Sequence, residues 1–393
     1  MFIPEIDMQQ YLYDLPESCI APFPVSPRDA SRLLYYDGGV VSHHHFYELP
    51  DILSDSCMFI ANQSRVIPAR IILHKSTGAK VEIFLLEPAN GKTLEEALHS
   101  YSQVEWKVMV GNKKKWHEGE RLFFTNGYVQ WINRDTDIVR FIWSDAPNFA
   151  TLLDLTGTTP IPPYIKRDSS ESDRDFYQTV YAQEKGSVAA PTAGLHFTSK
   201  VLQHLQNQGH SIYYITLHVG AGTFKPVSAT YASQHIMHSE PIRFSRDLIE
   251  QIMHNKRPVM AVGTTSLRSL ESLYWFGVGL FSGRLSSFDI PQFFPYDSHP
   301  EISIKQSLQV VLNFMHHHSL NDLDGKTSLF IMPGYRFKMI NGLITNFHQP
   351  GSTLLLLIAA LIGDDWKNVY AQAMHHGYRF LSYGDSSLLL PKK

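Results

Sequence analysis

Alternation of hydrophobic and polar positions is clearest between about residues 68 and 145. Six segments there are rich in Val, Ile, Phe and Trp: "RIILH", "KVEIFLLE", "EWKVMVG", "RLFFT", "YVQWI" and "DIVRFIW". Gly, Asn and Asp, which favour turns, stand between these segments. The pattern predicts a small antiparallel β-barrel or sandwich.

After residue 152 the pattern changes to helical segments that alternate with short β-branched runs, which is typical of an α/β layer. Predicted strands are "SIYYITLHV", "RPVMAVG", "TSLFIMPGYRF" and "GLITNFH", and predicted helices are "TTSLRSLESLYWFG" and "GSTLLLLIAALIG". Thr198 is the expected N-cap of one further helix, and Ser352 or Thr353 that of the last. The charged stretch 167–175 is expected to be an exposed loop.

The predicted fold is therefore an α/β main domain with an inserted small antiparallel β-barrel domain. We place the α/β domain at residues 1–67 and 152–393 and the barrel at 68–151. A chain of 393 residues, 44% of them hydrophobic, can bury cores of this size.

Composition narrows the expected partners and location. The formal net charge of -3 gives no overall attraction to nucleic acid or membrane, so an RNA partner would need a local basic patch. Two cysteines are too few for a disulfide framework, and no apolar run reaches the ~20 residues that span a bilayer. We expect a cytoplasmic monomer without a secretory signal, membrane partner or bound metal.

The stretch "TLHVGAGTFKP", residues 216–226, resembles a nucleotide-binding loop but fits neither G-x-x-x-x-G-K-[ST] nor G-x-G-x-x-G. Glycines at a strand end nevertheless let a ligand approach the backbone closely. A tight turn without a ligand is the alternative for this loop taken alone.

Histidines recur in three nearby loops: His218 in this stretch, His196 in "VAAPTAGLHFT", and His238 with Glu240 in "QHIMHSE". Histidine exchanges protons near neutral pH, so a converging cluster would suit acid–base catalysis. A zinc site is the rival interpretation, although H-E-x-x-H and cysteine ligands are missing from the sequence. A structural role for each single histidine is the other alternative.

Two strand-to-helix junctions complete the candidate site. "AVGTTSLRSLES" places Gly263–Ser266 where free N–H groups of a helix N-terminus could bind a carboxylate or phosphate, with Arg268 one turn further on. "TNFHQPGST" places Asn346 and His348 beyond another strand. In each case a simple turn with a helix cap is the alternative.

Lysines and tryptophans alternate in "WKVMVGNKKKW", which makes this segment a candidate contact for RNA. The candidate RNA-binding residues are Lys107, Lys113, Lys114 and Lys115. An exposed, lysine-rich hairpin turn is the alternative. The histidine runs 43–45 and 316–318 are expected to be solvated.

Taken together, "VAAPTAGLHFT", "TLHVGAGTFKPV", "MHSE", "AVGTTSLRSLES" and "GLITNFHQPGST" resemble the S-adenosylmethionine:tRNA ribosyltransferase-isomerase family of queuosine biosynthesis. Further matching segments are "PRDASRLL", "RVIPAR", "IPPYIKR", "DFYQTVYA" and "YRFLSYGD", so the resemblance extends over nearly the whole chain. It implies an α/β domain with an inserted β-barrel, which agrees with the pattern above.

The resemblance also implies a reaction. The ribosyl unit of S-adenosylmethionine, consumed as a substrate with no separate cofactor, moves to the 7-aminomethyl-7-deazaguanine base at the tRNA wobble position. Epoxyqueuosine forms, and adenine and methionine leave. This chemistry needs deprotonation beside the sulfonium, protonation of adenine, and anchors for the methionine carboxylate and ammonium.

The residues carry these tasks as follows in our interpretation. His218 or His196 is the base or acid, His238 is a further catalytic candidate, Arg268 anchors a carboxylate or phosphate, and Glu240 receives the ammonium. The predicted substrate-binding residues are Thr192, Gly194, Gly220, Gly222, Thr223, Lys225, Gly263, Thr264, Thr265, Ser266, Asn346 and His348.

Three positions in two segments depart from the family pattern: Gln63, Ser64 and Gly351. Asn62-Gln63-Ser64 stands where the family has "NDT", and Gly351 stands where the family has a lysine after "H-x-P". A divergent paralogue that binds tRNA or a nucleotide without this catalysis is therefore the alternative function, and a metal-dependent hydrolase is a third.

Overall fold

The computed structural model describes residues 3–220 and 229–391. Its strands are β1 Arg32–Asp37, β2 Val40–His45, β3 Met58–Asn62, β4 Ser64–Val66, β5 Arg70–His74, β6 Lys80–Pro88, β7 Gln103–Gly111, β8 Arg121–Phe124, β9 Gly127–Asn133, β10 Ile138–Trp143, β11 Gly157–Thr158, β12 Glu184–Ser187, β13 Ser211–Leu217, β14 Glu240–Ser245, β15 Val259–Val262, β16 Asp289–Ile290, β17 Asp322–Thr327, β18 Gly342–Asn346 and β19 Ser386–Leu390.

The helices cover the two sheets of the protein or connect their strands. They are α1 Leu49–Ile52, α2 Leu94–Leu98, α3 Phe149–Thr156, α4 Asp173–Phe176, α5 Ser199–Asn207, α6 Arg246–His254, α7 Gly263–Phe281, α8 Ile304–His317, α9 Thr353–Ile362 and α10 Asp365–His375. No helix within the described ranges is both long and apolar enough to cross a membrane.

The six strands predicted between residues 68 and 145 are confirmed, and they form one antiparallel sheet. Its order is β11-β5-β6-β7-β10-β9-β8, and it curls until β5 approaches β8, which makes a half-barrel. Side chains alternate between buried and partly exposed along β6 and β10, as the sequence pattern requires. The short β11 joins the sheet beyond residue 151, and the predicted domain boundaries stay a prediction.

The α/β part is built on a ten-stranded mixed sheet with the order β16-β17-β14-β13-β3-β15-β18-β19-β1-β2. Its centre, β13-β3-β15-β18, is parallel throughout. Every residue of β3, β15 and β18 is buried, because helices cover both faces of these strands. The α/β fold with an inserted antiparallel β sheet is therefore confirmed.

Parallel strands end at the same edge of a sheet, and this determines where the candidate-site loops of the sequence meet. β13 leads to His218, β15 leads to Gly263, and Asn346 is the last residue of β18. The 3₁₀ helix Thr192–His196 packs beside β18 and α7 at this edge. Loops far apart in sequence thus become neighbours.

Helix caps agree with the sequence. The Thr198 hydroxyl accepts a hydrogen bond from the Val201 N–H at the start of α5, and the Ser352 hydroxyl accepts one from the Leu355 N–H at the start of α9. Of the two residues considered for α9, Ser352 is therefore the N-cap. Helix α7 lies buried against the central strands and packs closely on α8 at Gly277, where a Cβ atom would lie 2.1 Å from the Ser307 Oγ.

The strand predicted at "TSLFIMPGYRF" is wrong beyond Thr327, the last residue of β17. The apolar residues 329–332 are buried as expected, but Phe330 donates its N–H to the Gln292 carbonyl in a loop. Pro333 cannot donate, and Gly334 has a φ of +96°, so the chain turns away from the sheet.

The loop that follows is held by Glu271, which is buried on α7. Its carboxylate accepts hydrogen bonds from the Tyr335 hydroxyl (2.7 Å) and from the N–H groups of Lys338 (3.1 Å) and Met339 (2.8 Å). The Trp275 indole donates to the same tyrosine hydroxyl. Burial raises the pKa of Glu271 to about 7.

The stretch 167–175 is mostly exposed, as predicted, but Asp173 is an exception. Asp173 is fully buried at the start of α4, where Arg167 donates two hydrogen bonds of 2.7 Å to its carboxylate. The Tyr383 hydroxyl donates a third, of 2.8 Å. Charge in a sequence usually indicates exposure, but here ion pairing compensates for burial.

Candidate active site

A cavity lies at the carboxyl edge of the parallel strands. About 100 Å³ of it is accessible to the centres of water-sized spheres, and it opens to solvent. Six residues predicted to bind substrate line it: Thr192, Gly263, Thr264, Thr265, Asn346 and His348. Three separate loops of the sequence are thereby brought together.

The N-terminus of α7 forms one wall of the cavity. Val262, its N-cap residue, offers no side chain to the first N–H groups of the helix, and Gly263 has a φ of +86°, in the region that glycine adopts readily. The buried Thr265 Oγ1 has no hydrogen-bond partner among the described atoms. This wall therefore presents polar groups that the described protein atoms leave unsatisfied.

Asn346 forms the opposite wall, and its amide can take only one orientation. Its Nδ2 lies 3.2 Å from the Leu381 carbonyl oxygen and 3.4 Å from that of Asp385, and carbonyl oxygens can only accept. The amide oxygen, Oδ1, must point the other way. It is buried and has no partner within the described residues.

His196 lies behind this wall and not on the cavity surface. Its Nε2 is 3.2 Å from the Nδ2 of Asn346, and its Nδ1 is 2.7 Å from the Ser31 Oγ. Because Nδ2 donates, Nε2 must accept, and the ring proton is on Nδ1. Burial lowers the pKa of His196 to about 4, so the ring is neutral at pH 7.

His348 does line the cavity and is also neutral. Its Nε2 lies 2.9 Å from the Thr345 Oγ1, and its backbone is fixed by the hydroxyls of Tyr13 and Tyr370. Burial lowers its pKa to about 3. The ring is thus held without charge next to the other polar groups.

His218 does not line the cavity, although the adjacent Val219 does. Its ring lies at the junction with the half-barrel, where a Cβ atom on Gly186 would be 2.8 Å from the His218 Cε1 and 2.3 Å from Leu94. The buried Nδ1 has no hydrogen-bond partner among the described atoms. Burial lowers the pKa of His218 to about 4.

Arg268 and Glu240 were predicted to contact different groups of a substrate, but they also contact each other. The Arg268 Nη1 is 2.6 Å from the Glu240 Oε2, and both side chains are buried. The Arg268 Nε donates to the Leu329 carbonyl, whereas Nη2 has no partner in the described part of the chain. His238 is exposed, two residues before Glu240.

Three other predicted substrate-binding residues, Gly194, Ser266 and Gly220, do not line the cavity. Gly194 is buried beside Tyr181, whose hydroxyl would be 2.1 Å from an added Cβ, and the Ser266 hydroxyl bonds to the Val262 carbonyl in its own helix. Gly220 follows the lining residue Val219. Gly222, Thr223 and Lys225 lie outside the described residues.

Several lining residues were missed by sequence reasoning, among them Tyr164, Tyr177, Gln349 and Ser382. Tyr164 and Tyr177 belong to the segments "IPPYIKR" and "DFYQTVYA", which carried the family resemblance without being assigned to the site. A tyrosine in an isolated segment has no sequence signal that separates a cavity wall from an ordinary core position.

The lysines of the half-barrel differ in their surroundings. Lys107 pairs with Glu87 at 2.9 Å and Lys113 with Asp137 at 2.6 Å, whereas Lys114 and Lys115 are exposed and have no ion pair with a described residue. The neighbouring Trp106 and Trp116 are buried in the half-barrel core, so their rings cannot stack on a base.

No group of three or more His, Cys, Asp or Glu side chains within the described ranges is arranged to hold a metal ion.

Buried neutral histidines give stability a defined pH dependence. Since the folded pKa of His196 is about 4 and the unfolded value is 6.5, the unfolded chain binds more protons between these values. The contribution of His196 is therefore complete above pH 6.5 and is lost as the pH falls towards 4, at up to about 1.4 kcal/mol per pH unit.

We expect His196→Asn to make the free energy of unfolding less pH-dependent between pH 6.5 and 4.5, as measured by urea unfolding. Glu271 acts in the opposite direction in this range, and its contribution cancels when variant and wild type are compared. The exposed His254→Asn is the control and should keep the wild-type slope. Equal slopes for all three proteins would show that His196 is not held neutral.

The sequence is similar to known proteins over almost its whole length. A family model described as "Queuosine biosynthesis protein" matches residues 8–389. S-adenosylmethionine:tRNA ribosyltransferase-isomerases from Moorella thermoacetica and Legionella pneumophila are 36% and 38% identical over 395 and 392 residues, and each match covers 98% of this chain and at least 99% of the relative.

The crystal structure of S-adenosylmethionine tRNA ribosyltransferase from Thermotoga maritima is 26% identical, with a TM-score of 0.47 over 97% of this chain and 100% of that one. The sequence matches extend over almost the full length of both partners. The chain belongs to the S-adenosylmethionine:tRNA ribosyltransferase-isomerase family and is an enzyme of queuosine biosynthesis.

Proposed function

We propose that the cavity binds S-adenosylmethionine and that this chain transfers and isomerises its ribosyl moiety onto the 7-aminomethyl-7-deazaguanine base at the tRNA wobble position. Epoxyqueuosine-tRNA forms, and adenine and methionine are released. One observation carries the proposal for the cavity: Thr265 and Asn346 line it, and each has a buried polar atom without a partner among the described residues.

The fixed orientation of the Asn346 amide favours a ligand that donates hydrogen bonds or carries positive charge. Its Oδ1 is an acceptor that cannot turn into a donor, because Nδ2 is held by two carbonyls. S-adenosylmethionine offers an exocyclic amine, an ammonium and a sulfonium. An unsatisfied buried acceptor costs about 1–3 kcal/mol, which a donor on the ligand would recover.

For the acid–base step, the contacts favour His218 over His196. Both rings are neutral at pH 7, so each has a lone pair in principle. Both nitrogens of His196 are engaged, by Ser31 and Asn346, whereas the Nδ1 of His218 has no partner in the described part of the chain. His218 is therefore proposed as the base or acid, and His196 as a residue that orients Asn346.

The Arg268–Glu240 pair is proposed as the anchor for the charged end of the methionyl group. Arg268 retains an unpartnered Nη2 within the described residues, which would suit the carboxylate. Glu240 is already in contact with Arg268, so an ammonium received there would join an existing ion pair. His238, exposed nearby, stays a candidate for proton transfer.

The remaining expectations are proposals of the same kind. Lys114 and Lys115 are the better candidates for RNA contact, since Lys107 and Lys113 have acidic partners. The division into residues 1–67 with 152–393 and 68–151, the monomeric state and the cytoplasmic location stay predictions.

Product analysis tests the proposed function. Incubation with S-adenosylmethionine and tRNA that carries the aminomethyl-deazaguanine base should give epoxyqueuosine on nucleoside analysis, with adenine and methionine released in equal amounts. The same tRNA without the modified base is the control and should give no adenine release. Binding of both substrates without any product would favour the non-catalytic paralogue.

We expect His218→Ala to slow adenine release by about 10²- to 10⁴-fold, the usual effect of removing a general acid or base. His196→Ala should cost less, since it acts on Asn346 only through one hydrogen bond. His210→Ala is the matched control, because His210 is also buried but accepts from the Cys57 N–H at the opposite edge of the sheet. Near-normal release by both His218→Ala and His196→Ala would refute the acid–base proposal.

We expect Thr265→Val to raise KM for S-adenosylmethionine by about 5- to 10-fold, the value of one hydrogen bond, with unchanged or higher thermal stability. The substitution keeps the shape and removes a hydroxyl that no described atom satisfies. In Thr327→Val, by contrast, the lost hydroxyl bonds to Ser272 and to the Leu329 N–H, so stability should fall. A loss of stability in Thr265→Val with KM unchanged would make this hydroxyl structural.

A further inference from the structure

A second, smaller cavity lies behind the wall of the first. Arg28, Arg379, Tyr383 and His196 line it, and the two cavities share Ser382. Ser31, also in its lining, is the residue that holds the Nδ1 of His196. The second cavity is thus separated from the first by little more than the His196–Asn346 pair.

The two arginines at this cavity are fixed by backbone carbonyls. Arg28 donates from Nη1 to the Gln178 carbonyl and from Nη2 to that of Asp175, and Arg379 donates to the Phe23 carbonyl at 3.3 Å. A guanidinium has five N–H donors in a rigid plane, so each group retains donors beyond these bonds. The side chains are therefore held in place with hydrogen-bonding capacity left over.

The nearby carboxylates mostly form hydrogen bonds and ion pairs with other groups of the protein. Asp385 is buried and accepts from the N–H groups of Arg32 and Arg379 as well as from the Arg379 side chain. Arg28 forms no ion pair with a described carboxylate, although the exposed Asp175 lies close enough to offset part of the effect of burial on the pKa of Arg28. Arg28 therefore brings to this surface a charge that no described carboxylate pairs, whereas the charge of Arg379 is offset by Asp385 and that of Arg167 by Asp173.

An exposed aromatic ring adjoins the arginines. Phe23 is 47% exposed, and the Arg167 guanidinium carbon lies 4.1 Å from the centre of its ring. Arg167 also donates to the Pro22 carbonyl at 2.9 Å, so the segment that carries Phe23 is held from both sides by arginines. A fixed, half-exposed ring beside cations is the combination that binds unstacked bases and phosphates of single-stranded RNA.

We propose that the surface formed by Phe23, Arg28, Arg167 and Arg379 binds the single-stranded part of the tRNA substrate next to the base that enters the first cavity. Phe23 stacks on a neighbouring base, and Arg28 and Arg379 donate to a phosphodiester. This inference rests on the proposed function, since it takes tRNA as the substrate. This surface is separate from the candidate RNA-binding lysines of the half-barrel, which lie on the other sheet.

The test uses the full chain with Phe23→Ala and Arg28→Gln, and measures the Kd for tRNA at several salt concentrations and the Kd for S-adenosylmethionine. Phe23→Ala should weaken tRNA binding by about 5- to 150-fold, the range for loss of one stacked base. Arg28→Gln should weaken tRNA binding and reduce the slope of log K against log salt by about 1. Binding of S-adenosylmethionine should not change.

Matched controls lie at the opposite edge of the sheet. Phe281→Ala removes a ring that is 55% exposed at the end of α7, and Arg257→Gln removes an arginine that also donates to a carbonyl, that of Gly209. Both controls should bind tRNA like the wild type. Thermal melting checks the fold; if Arg28→Gln does not fold, Arg28→Lys, which keeps the charge without the planar donors, takes its place and should bind tRNA more weakly than the wild type.

Two results would overturn the inference. If Phe23→Ala and the Arg28 variant bind tRNA as tightly as the controls do, RNA does not use this surface. Weaker binding of S-adenosylmethionine with tRNA binding unchanged would assign the arginines to the methionyl carboxylate. If the wild type itself forms no product from tRNA, the proposed function fails; if it does and the variants match the controls, only this inference fails.

Discussion

The common direction of β13, β3, β15 and β18 is the constraint on which the site depends. Four parallel strands must end at one edge, which brings together His218 after β13, Gly263 after β15 and Asn346 at the end of β18. The buried helices α7 and α9 complete the site at this edge, because the N-terminus of α7 and the Ser352 cap of α9 both line the cavity. The position of the cavity is therefore determined by the topology of the sheet more than by any single residue.

Much of this arrangement could be predicted from the sequence, because periodicity and turn residues act locally. The six strands of the half-barrel, the caps at Thr198 and Ser352, and the junctions at Gly263 and Asn346 were all apparent as patterns. Family resemblance then indicated that these loops meet, which periodicity alone could not show.

What failed depends on partners far away in the sequence. Nothing near Asp173 indicates that Tyr383, 210 residues away, would help to compensate for its burial, and nothing near Arg268 indicates that Glu240 would face it. The direction of a ring is equally hidden: His218 and Val219 are neighbours, yet only Val219 lines the cavity. Trp106 and Trp116 looked like partners for RNA because local sequence does not show which face of a strand a curled sheet will cover.

The fixed amide of Asn346 has a consequence for how the cavity distinguishes ligands. A carbonyl dipole that cannot rotate attracts a positive group much as a carboxylate does, but it has no proton to gain at low pH. It also gathers no counterion atmosphere, so salt has little to screen. The attraction between Asn346 and a cationic ligand would therefore change little with pH or ionic strength. The attraction between the arginines of the second cavity, on the other side of the wall, and an anionic ligand, by contrast, would depend on the salt concentration.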